Sequence, residues 1–166
     1  NAGVAYNPKS NMKLGSGIAP AARIFSEGIN IGFGTDGAGS NNNLKLLEEA
    51  RIGSYLQKVI QNDPTLLSIK DIAKMLTVKG AHAAGLKNLG QITEGALADL
   101  IVIDVKSKTY FYPHHNNLSN LFYAAGGHFV DSVIVNGEIV LQDGSMVNIN
   151  ESEVYHRVSE IIEKLG

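Results

Sequence analysis

The stretch Ile31-Gly32-Phe33-Gly34-Thr35-Asp36-Gly37-Ala38-Gly39-Ser40 decides the fold class of this 166-residue chain. Residues 29–33 form an almost continuous apolar run, which is typical of a strand buried in a parallel sheet. The run ends in a glycine-rich loop that contains Asp36. Because ligands collect at the carboxyl ends of parallel strands, Asp36 is a candidate metal ligand or general base. Asp-Gly is also a common turn dipeptide, which is the alternative interpretation.

A second strand and loop precede this stretch. Val4-Ala5-Tyr6 is a short predicted strand that ends before Asn7-Pro8, because the residue before proline avoids the helical region. The polar loop over residues 7–17 could face a substrate, or its Ser and Asn side chains could cap the next helix. Helices are predicted over residues 18–25 and from about 44 to 60. This alternation of strand and helix indicates βα units.

The pattern changes near residue 89, where helical periodicity gives way to strand patterns. We expect strands over residues 98–104, 130–135 and 138–141, and a final helix that is capped by Asn150. The dipeptide Asn136-Gly137 is a strong signal for a β-hairpin. We therefore predict an α/β domain over residues 3–88 and a mainly β domain over residues 89–166.

Composition excludes several classes of function. Lys and Arg number 14 and Asp and Glu 16, so no basic surplus favours nucleic acid as a partner. The longest apolar runs are far shorter than the roughly 20 residues of a membrane span. The absence of cysteine excludes disulfides and thiolate ligands and suits a reducing compartment. We expect a cytoplasmic protein that binds a small molecule and neither nucleic acid nor a membrane.

The histidines give no metal-binding pattern. None forms the His-x-His or His-Glu-x-x-His spacing that places two imidazoles on one metal ion. We therefore predict that none of the five is a metal ligand: His82, His114, His115, His128 and His156.

Several stretches together carry a resemblance to a known family. Residues 7–17 read Asn-Pro-x-Ser-Asn-x-Lys-Leu-Gly-Ser-Gly, and residues 34–44 read Gly-Thr-Asp-Gly-Ala-Gly-Ser-Asn-Asn-Asn-Leu. With Glu48-Glu49-Ala50-Arg51 and the later stretches 95–104 and 131–137, they resemble the metal-dependent amidohydrolase superfamily. The nearest resemblance is to its 5′-methylthioadenosine/S-adenosylhomocysteine deaminase and chlorohydrolase-like branch.

This resemblance implies a fold and a set of roles. The chain would be α/β, with the last two βα units of a TIM-type (β/α)8 barrel, then part of a small β-sandwich and a C-terminal helix. Asp36, at the end of the eighth barrel strand, would bind the metal and carry a proton from the attacking water to the leaving amine. Four residues would bind or shape the substrate pocket: Asn7, Ser10, Asn11 and Ser40.

The sequence also departs from the family pattern. A complete barrel needs about 200 residues or more, and the family's His-x-His pair, further histidines and acidic glutamate have no counterpart in this chain. A single Asp cannot hold a zinc ion, which takes three or more protein ligands. We expect a divalent metal, zinc, in the complete protein, and none bound by this chain alone. Tyr6 occupies a position where relatives often carry His or Cys.

The resemblance leaves more than one function open. The chain would belong to a hydrolase that deaminates an adenosine-type nucleoside, and alone it would be inactive. Alternatively it is a non-catalytic assembly module or one half of a split enzyme, or its parent removes chlorine or deaminates guanine or cytosine. The barrel strands would have open edges outside a closed barrel, and such edges predict a homo-oligomer.

Overall fold

The computed structural model describes residues 2–126 and 128–166, which divide into two compact units. The first unit runs to Leu97 and resumes over Tyr110–Ala125. The second comprises Ala98–Thr109 and Gly126–Gly166. These units differ from the predicted ranges 3–88 and 89–166 chiefly in the segment Tyr110–Ala125, and those ranges remain a prediction.

A two-stranded parallel sheet lies at the centre of the first unit. Strands β1 (Val4–Tyr6) and β2 (Ile31–Phe33) pair with Ala5 opposite Gly32. All of β2 is buried, as its apolar sequence predicts. The helical segments among the described residues of this unit are α1 (Pro8–Lys13), α2 (Ala21–Ser26), α3 (Ala38–Asn41), α4 (Leu46–Gln61), α5 (Ile69–Leu76), α6 (Val78–Ala83), α7 (Asn117–Ser119) and a π-helical turn (Asn120–Ala124). A 3-10 helical turn (Thr109–Phe111) lies where the chain returns to this unit.

Proline explains two of the differences between the observed helices and the sequence prediction. Residues 8–13 form α1 inside the predicted loop, with Pro8 at the first helical position, where its missing N–H costs nothing. The helix predicted over residues 18–25 begins only at Ala21, because Pro20 keeps the preceding residue out of the helical region. Consequently Ile18 lies outside the helix and is exposed.

The core of the first unit fills the space between the sheet and its helices. Its members are buried apolar side chains from both strands and from α2, α4, α5 and the π-helical turn, among them Tyr6, Ile31, Phe33, Ile72, Met75 and Phe122. Arg51 of α4 binds the π-helical turn: Nε donates to the Phe122 carbonyl at 2.7 Å and Nη2 to the Ala125 carbonyl at 2.7 Å. These bonds explain why Tyr110–Ala125 belongs to the first unit.

The second unit is built on an antiparallel sheet. Strands β3 (Leu100–Ile103), β4 (Val130–Val135), β5 (Glu138–Gln142) and β6 (Ser145–Met146) are neighbours in that order. The predicted hairpin is confirmed: Asn136 and Gly137 have φ of 49° and 84°, the left-handed values that a type I′ turn requires. Helix α8 (Glu151–Leu165) follows, and the Asn150 side chain accepts the Glu153 N–H at 3.2 Å.

No helix in the described part of the chain has the length and apolar character needed to cross a membrane.

Candidate active site

Asp36 lies three residues beyond the buried strand β2, and its backbone has a φ of 58°. Asp and Asn are the non-glycine residues that adopt this left-handed region most readily. The turn separates β2 from α3 and leaves the Asp36 residue exposed. The structure therefore places this carboxylate where the sequence predicts it, at the end of a parallel strand.

Two serine hydroxyls converge on the Asp36 carboxylate. Ser10 Oγ of α1 donates to Oδ2 at 2.6 Å, and Ser40 Oγ of α3 donates to the same oxygen at 2.7 Å. Ser10 is only 1% exposed, whereas Ser40 is partly exposed. Both hydroxyls use Oδ2, so neither occupies Oδ1. We call these three residues the Asp36 cluster.

Hydrogen bonding keeps the Asp36 carboxylate charged. The Ser10 hydroxyl, followed by the Ser40 hydroxyl and the backbone N–H of Gly37, holds the pKa of Asp36 below its ordinary value. Hydrogen bonds that favour the charged form lower the pKa of an acid. At neutral pH the carboxylate is therefore ionised, accepts hydrogen bonds and can ligate a cation.

Ser10→Ala is expected to raise the pKa of Asp36 toward the value of a free aspartate, because the strongest donor to the carboxylate is lost. A folded-state pKa below the unfolded value stabilises the fold above the unfolded pKa, and that contribution is lost as the pH falls through the folded pKa. As the pH falls, Ser10→Ala should therefore lose the stability contributed by the ionised Asp36 carboxylate at a higher pH than the wild type does.

Carboxyl-carbon NMR titration measures this shift directly. Ser26→Ala is the matched control, because the Ser26 hydroxyl donates to the Arg23 carbonyl, away from Asp36. An Asp36 pKa that is the same in Ser10→Ala and Ser26→Ala would contradict the role of the Ser10 hydrogen bond.

The other two predicted substrate residues, Asn7 and Asn11, lie in the segment after β1 that also carries Ser10. Asn7 directly follows β1, and its Oδ1 is buried without a hydrogen-bond partner among the described residues. Gly34 accommodates this amide, since a Cβ at residue 34 would overlap Oδ1. Asn11 is partly buried in α1. The structure thus brings Ser10 and Ser40 to Asp36, and the substrate-binding role of all four residues remains a prediction.

Asp36 could supply one ligand to a metal ion. Within residues 2–126 and 128–166, no group of three or more His, Cys, Asp or Glu side chains could hold such an ion. A zinc site needs at least three protein ligands. The donor set therefore fits one carboxylate ligand of a shared metal site and not a complete site.

The chain belongs to the amidohydrolase family, whose model matches residues 1–140. A 5-methylthioadenosine/S-adenosylhomocysteine deaminase of Halothermothrix orenii is 56% identical over 162 residues, which is 98% of this chain and 38% of that protein. A 5′-deoxyadenosine deaminase of Methanocaldococcus jannaschii is 44% identical over 165 residues, 99% of this chain and 39% of that protein. The chain thus spans well under half the length of the curated relatives it matches.

Solved structures show the same partial coverage. An adenosine deaminase of Xanthomonas campestris with bound zinc has a TM-score of 0.92 and 32% identity, over 98% of this chain and 37% of that one. An atrazine chlorohydrolase of Arthrobacter aurescens, complexed with zinc, has a TM-score of 0.87 and 24% identity, over 96% of this chain and 36% of that one. The second likeness concerns the fold alone. The mixed helix and strand content of this chain is thus that of part of an amidohydrolase.

Proposed function

We propose that this chain forms part of a zinc-dependent amidohydrolase that deaminates an adenosine-type nucleoside such as methylthioadenosine or adenosylhomocysteine. The observation that carries the proposal is the Asp36 carboxylate, exposed at the end of β2 and held in one orientation by Ser10 and Ser40. The names of the two deaminases that cover almost the whole chain support the choice of substrate.

The mechanism gives the Asp36 cluster a defined task. Asp36 would be a ligand of the metal, and it would accept a proton from the attacking water and deliver it to the departing amine, which would leave as ammonia. Ser10 and Ser40 keep the carboxylate ionised and fix its direction. The metal, when bound, supplies a coordinated water of lowered pKa as the nucleophile.

We further propose that the chain contributes the last two βα units of a (β/α)8 barrel, part of a β-sandwich and a C-terminal helix. In this arrangement the other metal ligands and the general acid come from residues outside this chain, and the chain alone is inactive. A cytoplasmic location fits the absence of cysteine. Self-association through the outer edges of β1 and β2 fits strands that have one partner each within the described residues.

Metal content and ammonia release test the proposal together. Elemental mass spectrometry after dialysis against metal-free buffer should find about one zinc per complete protein, as a single catalytic site requires, and almost none in this chain alone. The complete protein should release ammonia from methylthioadenosine and adenosylhomocysteine, and not from guanine or cytosine.

Three outcomes would overturn parts of this proposal. Stoichiometric zinc in the isolated chain would show that it holds a complete ligand set. Chloride release from a chlorinated triazine, without ammonia release from any nucleoside, would assign the dechlorinating reaction instead. A complete protein without zinc and without either activity would favour a non-catalytic module.

A further inference from the structure

A second carboxylate, Glu49, lies buried near the Asp36 cluster and has no part in the mechanism given above. Its residue is 0% exposed, in the first turn of α4. A buried carboxylate is costly unless hydrogen bonds satisfy its oxygens. Glu49 Oε2 accepts the backbone N–H of Lys9 at 3.0 Å, and Oε1 accepts the Asn41 side-chain amide at 2.7 Å. Both oxygens are therefore committed to neighbouring segments.

Asn41 extends this connection to the segment that carries Asp36. The Asn41 residue is 1% exposed, and its Nδ2 also donates to the Thr35 carbonyl at 2.6 Å. Lys9 lies in the first turn of α1, where backbone N–H groups have no partner within the helix. Glu49 therefore satisfies a donor that α1 itself leaves open.

The three residues in these hydrogen bonds are each next in sequence to a member of the Asp36 cluster. Lys9 is the chain neighbour of Ser10, Thr35 of Asp36, and Asn41 of Ser40. We propose that Glu49 is the positioning residue of this site: its buried carboxylate fixes the segments after β1 and β2 so that both serines reach Asp36. The catalytic part of this inference rests on the proposed function, whereas its structural part can be measured independently of that function.

A substitution of the neighbouring Glu48 distinguishes the positioning role of Glu49 from the general effect of losing a negative charge. Glu48 Oε1 forms an ion pair with Lys9 Nζ at 2.7 Å, and the two side chains are 35% and 23% exposed, respectively. Exposed pairs of this kind contribute little to stability. Glu48→Gln is thus a matched control, because it removes the same charge from the same helical turn. It breaks a contact with the Lys9 side chain, whereas Glu49→Gln breaks a contact with the Lys9 backbone N–H.

Glu49→Gln keeps the volume of the side chain and breaks its hydrogen bonding. The site needs two acceptors, and a glutamine amide offers one acceptor and one donor group. Its NH2 group must face either the Lys9 N–H or the Asn41 amide. If Asn41 rotates to present its oxygen, the Thr35 carbonyl loses its donor. At least one of the three bonds is therefore lost in every orientation.

Amide exchange and steady-state kinetics of the complete protein test the proposal. In Glu49→Gln, exchange should accelerate by about tenfold or more at Lys9 and over residues 35–41, since these segments lose their anchor. The kcat should fall by about 10–100-fold with an unchanged KM, as for other supporting residues around a site. Glu48→Gln should match the wild type in both measurements.

The outcomes separate this inference from the proposed function. A wild-type protein without deaminase activity would contradict the proposed function, while the exchange comparison would still decide the role of Glu49. Exchange at Lys9 and over residues 35–41 that is equal in Glu49→Gln and Glu48→Gln would overturn the inference, as would an effect on KM alone.

A second variant covers the case in which Glu49→Gln does not fold. Asn41→Ala leaves the bond between Glu49 and Lys9 and removes both bonds that Asn41 Nδ2 donates, to Glu49 Oε1 and to the Thr35 carbonyl. It should accelerate exchange over residues 35–41 and leave Lys9 protected. Unchanged exchange over residues 35–41 would overturn the inference.

Discussion

Asp36→Asn is expected to lower the kcat of the complete protein by about 10²–10⁴-fold, the range that general acid–base catalysis contributes. The asparagine amide has nearly the size of the carboxylate, but it does not accept a proton at neutral pH. In the proposed mechanism, the proton released by the attacking water would then have no acceptor and the departing amine would have no donor. Ammonia release from methylthioadenosine at saturating concentration measures the loss.

The fold should survive this substitution. Asparagine adopts the left-handed region as readily as aspartate, so the φ of 58° adds no strain. The hydroxyls of Ser10 and Ser40 can still donate to the amide oxygen. An unchanged melting temperature would thus assign the lost rate to chemistry, whereas Asp36→Ala would remove the carboxylate and strain the backbone together.

Asp63→Asn is the control for this experiment. The Asp63 carboxylate also accepts from a hydroxyl, that of Thr65 at 2.6 Å, and this bond holds the pKa of Asp63 below its ordinary value. Asp63 follows α4 and makes no contribution to the Asp36 cluster, so its variant should keep the wild-type kcat. A full rate in Asp36→Asn would show that another group carries the proton.

The sequence contains a direct signal for the strand that carries Asp36. An apolar run bounded by glycine predicts a buried parallel strand, and the structure buries all of β2. The Ser68 capping box is equally local: its hydroxyl accepts the Asp71 N–H, and the Asp71 carboxylate accepts the Ser68 N–H. Features of this kind depend on neighbouring residues alone and can therefore be predicted without a structure.

The Asp36 cluster itself depends on contacts between distant residues. Ser10 and Asp36 are 26 positions apart, and sequence patterns do not show which serine of a polar loop turns toward which carboxylate. The family resemblance implies a substrate role for Ser10, whereas its hydrogen bond to Asp36 is visible only in the structure.

In the sequence, Glu49 stands out only as part of the family motif Glu48-Glu49-Ala50-Arg51. Adjacent carboxylates in one helical turn look equivalent, yet Glu49 is 0% exposed and the Glu48 side chain is 35% exposed. A helix turns about 100° per residue, so neighbouring side chains meet different surroundings. No local signal distinguishes the two. In contrast, Pro8 at the start of α1 is a signal that could have predicted this helix inside the loop.

Gly32→Ala is expected to destabilise the fold by about 3 kcal/mol, the upper part of the usual range for added atoms in a packed core. A Cβ at residue 32 would lie 2.5 Å from the Cα of Gly80 in α6 and 3.2 Å from the Met75 carbonyl oxygen in α5. Contacts between carbon atoms are favourable near 3.5–4.0 Å. Because both neighbours are backbone atoms, β2 and the two helices must move apart.

Gly39→Ala makes the same chemical change where there is space. Gly39 lies in α3, and a Cβ there would meet no atom within 4 Å, so the variant should be as stable as the wild type or slightly more stable. Urea unfolding midpoints compare the two variants. Equal midpoints would contradict the close approach of β2 and α6. Since β2 leads directly to Asp36, the proposed mechanism predicts that a displaced strand also lowers kcat, because the packing of two glycines then affects the position of the Asp36 carboxylate.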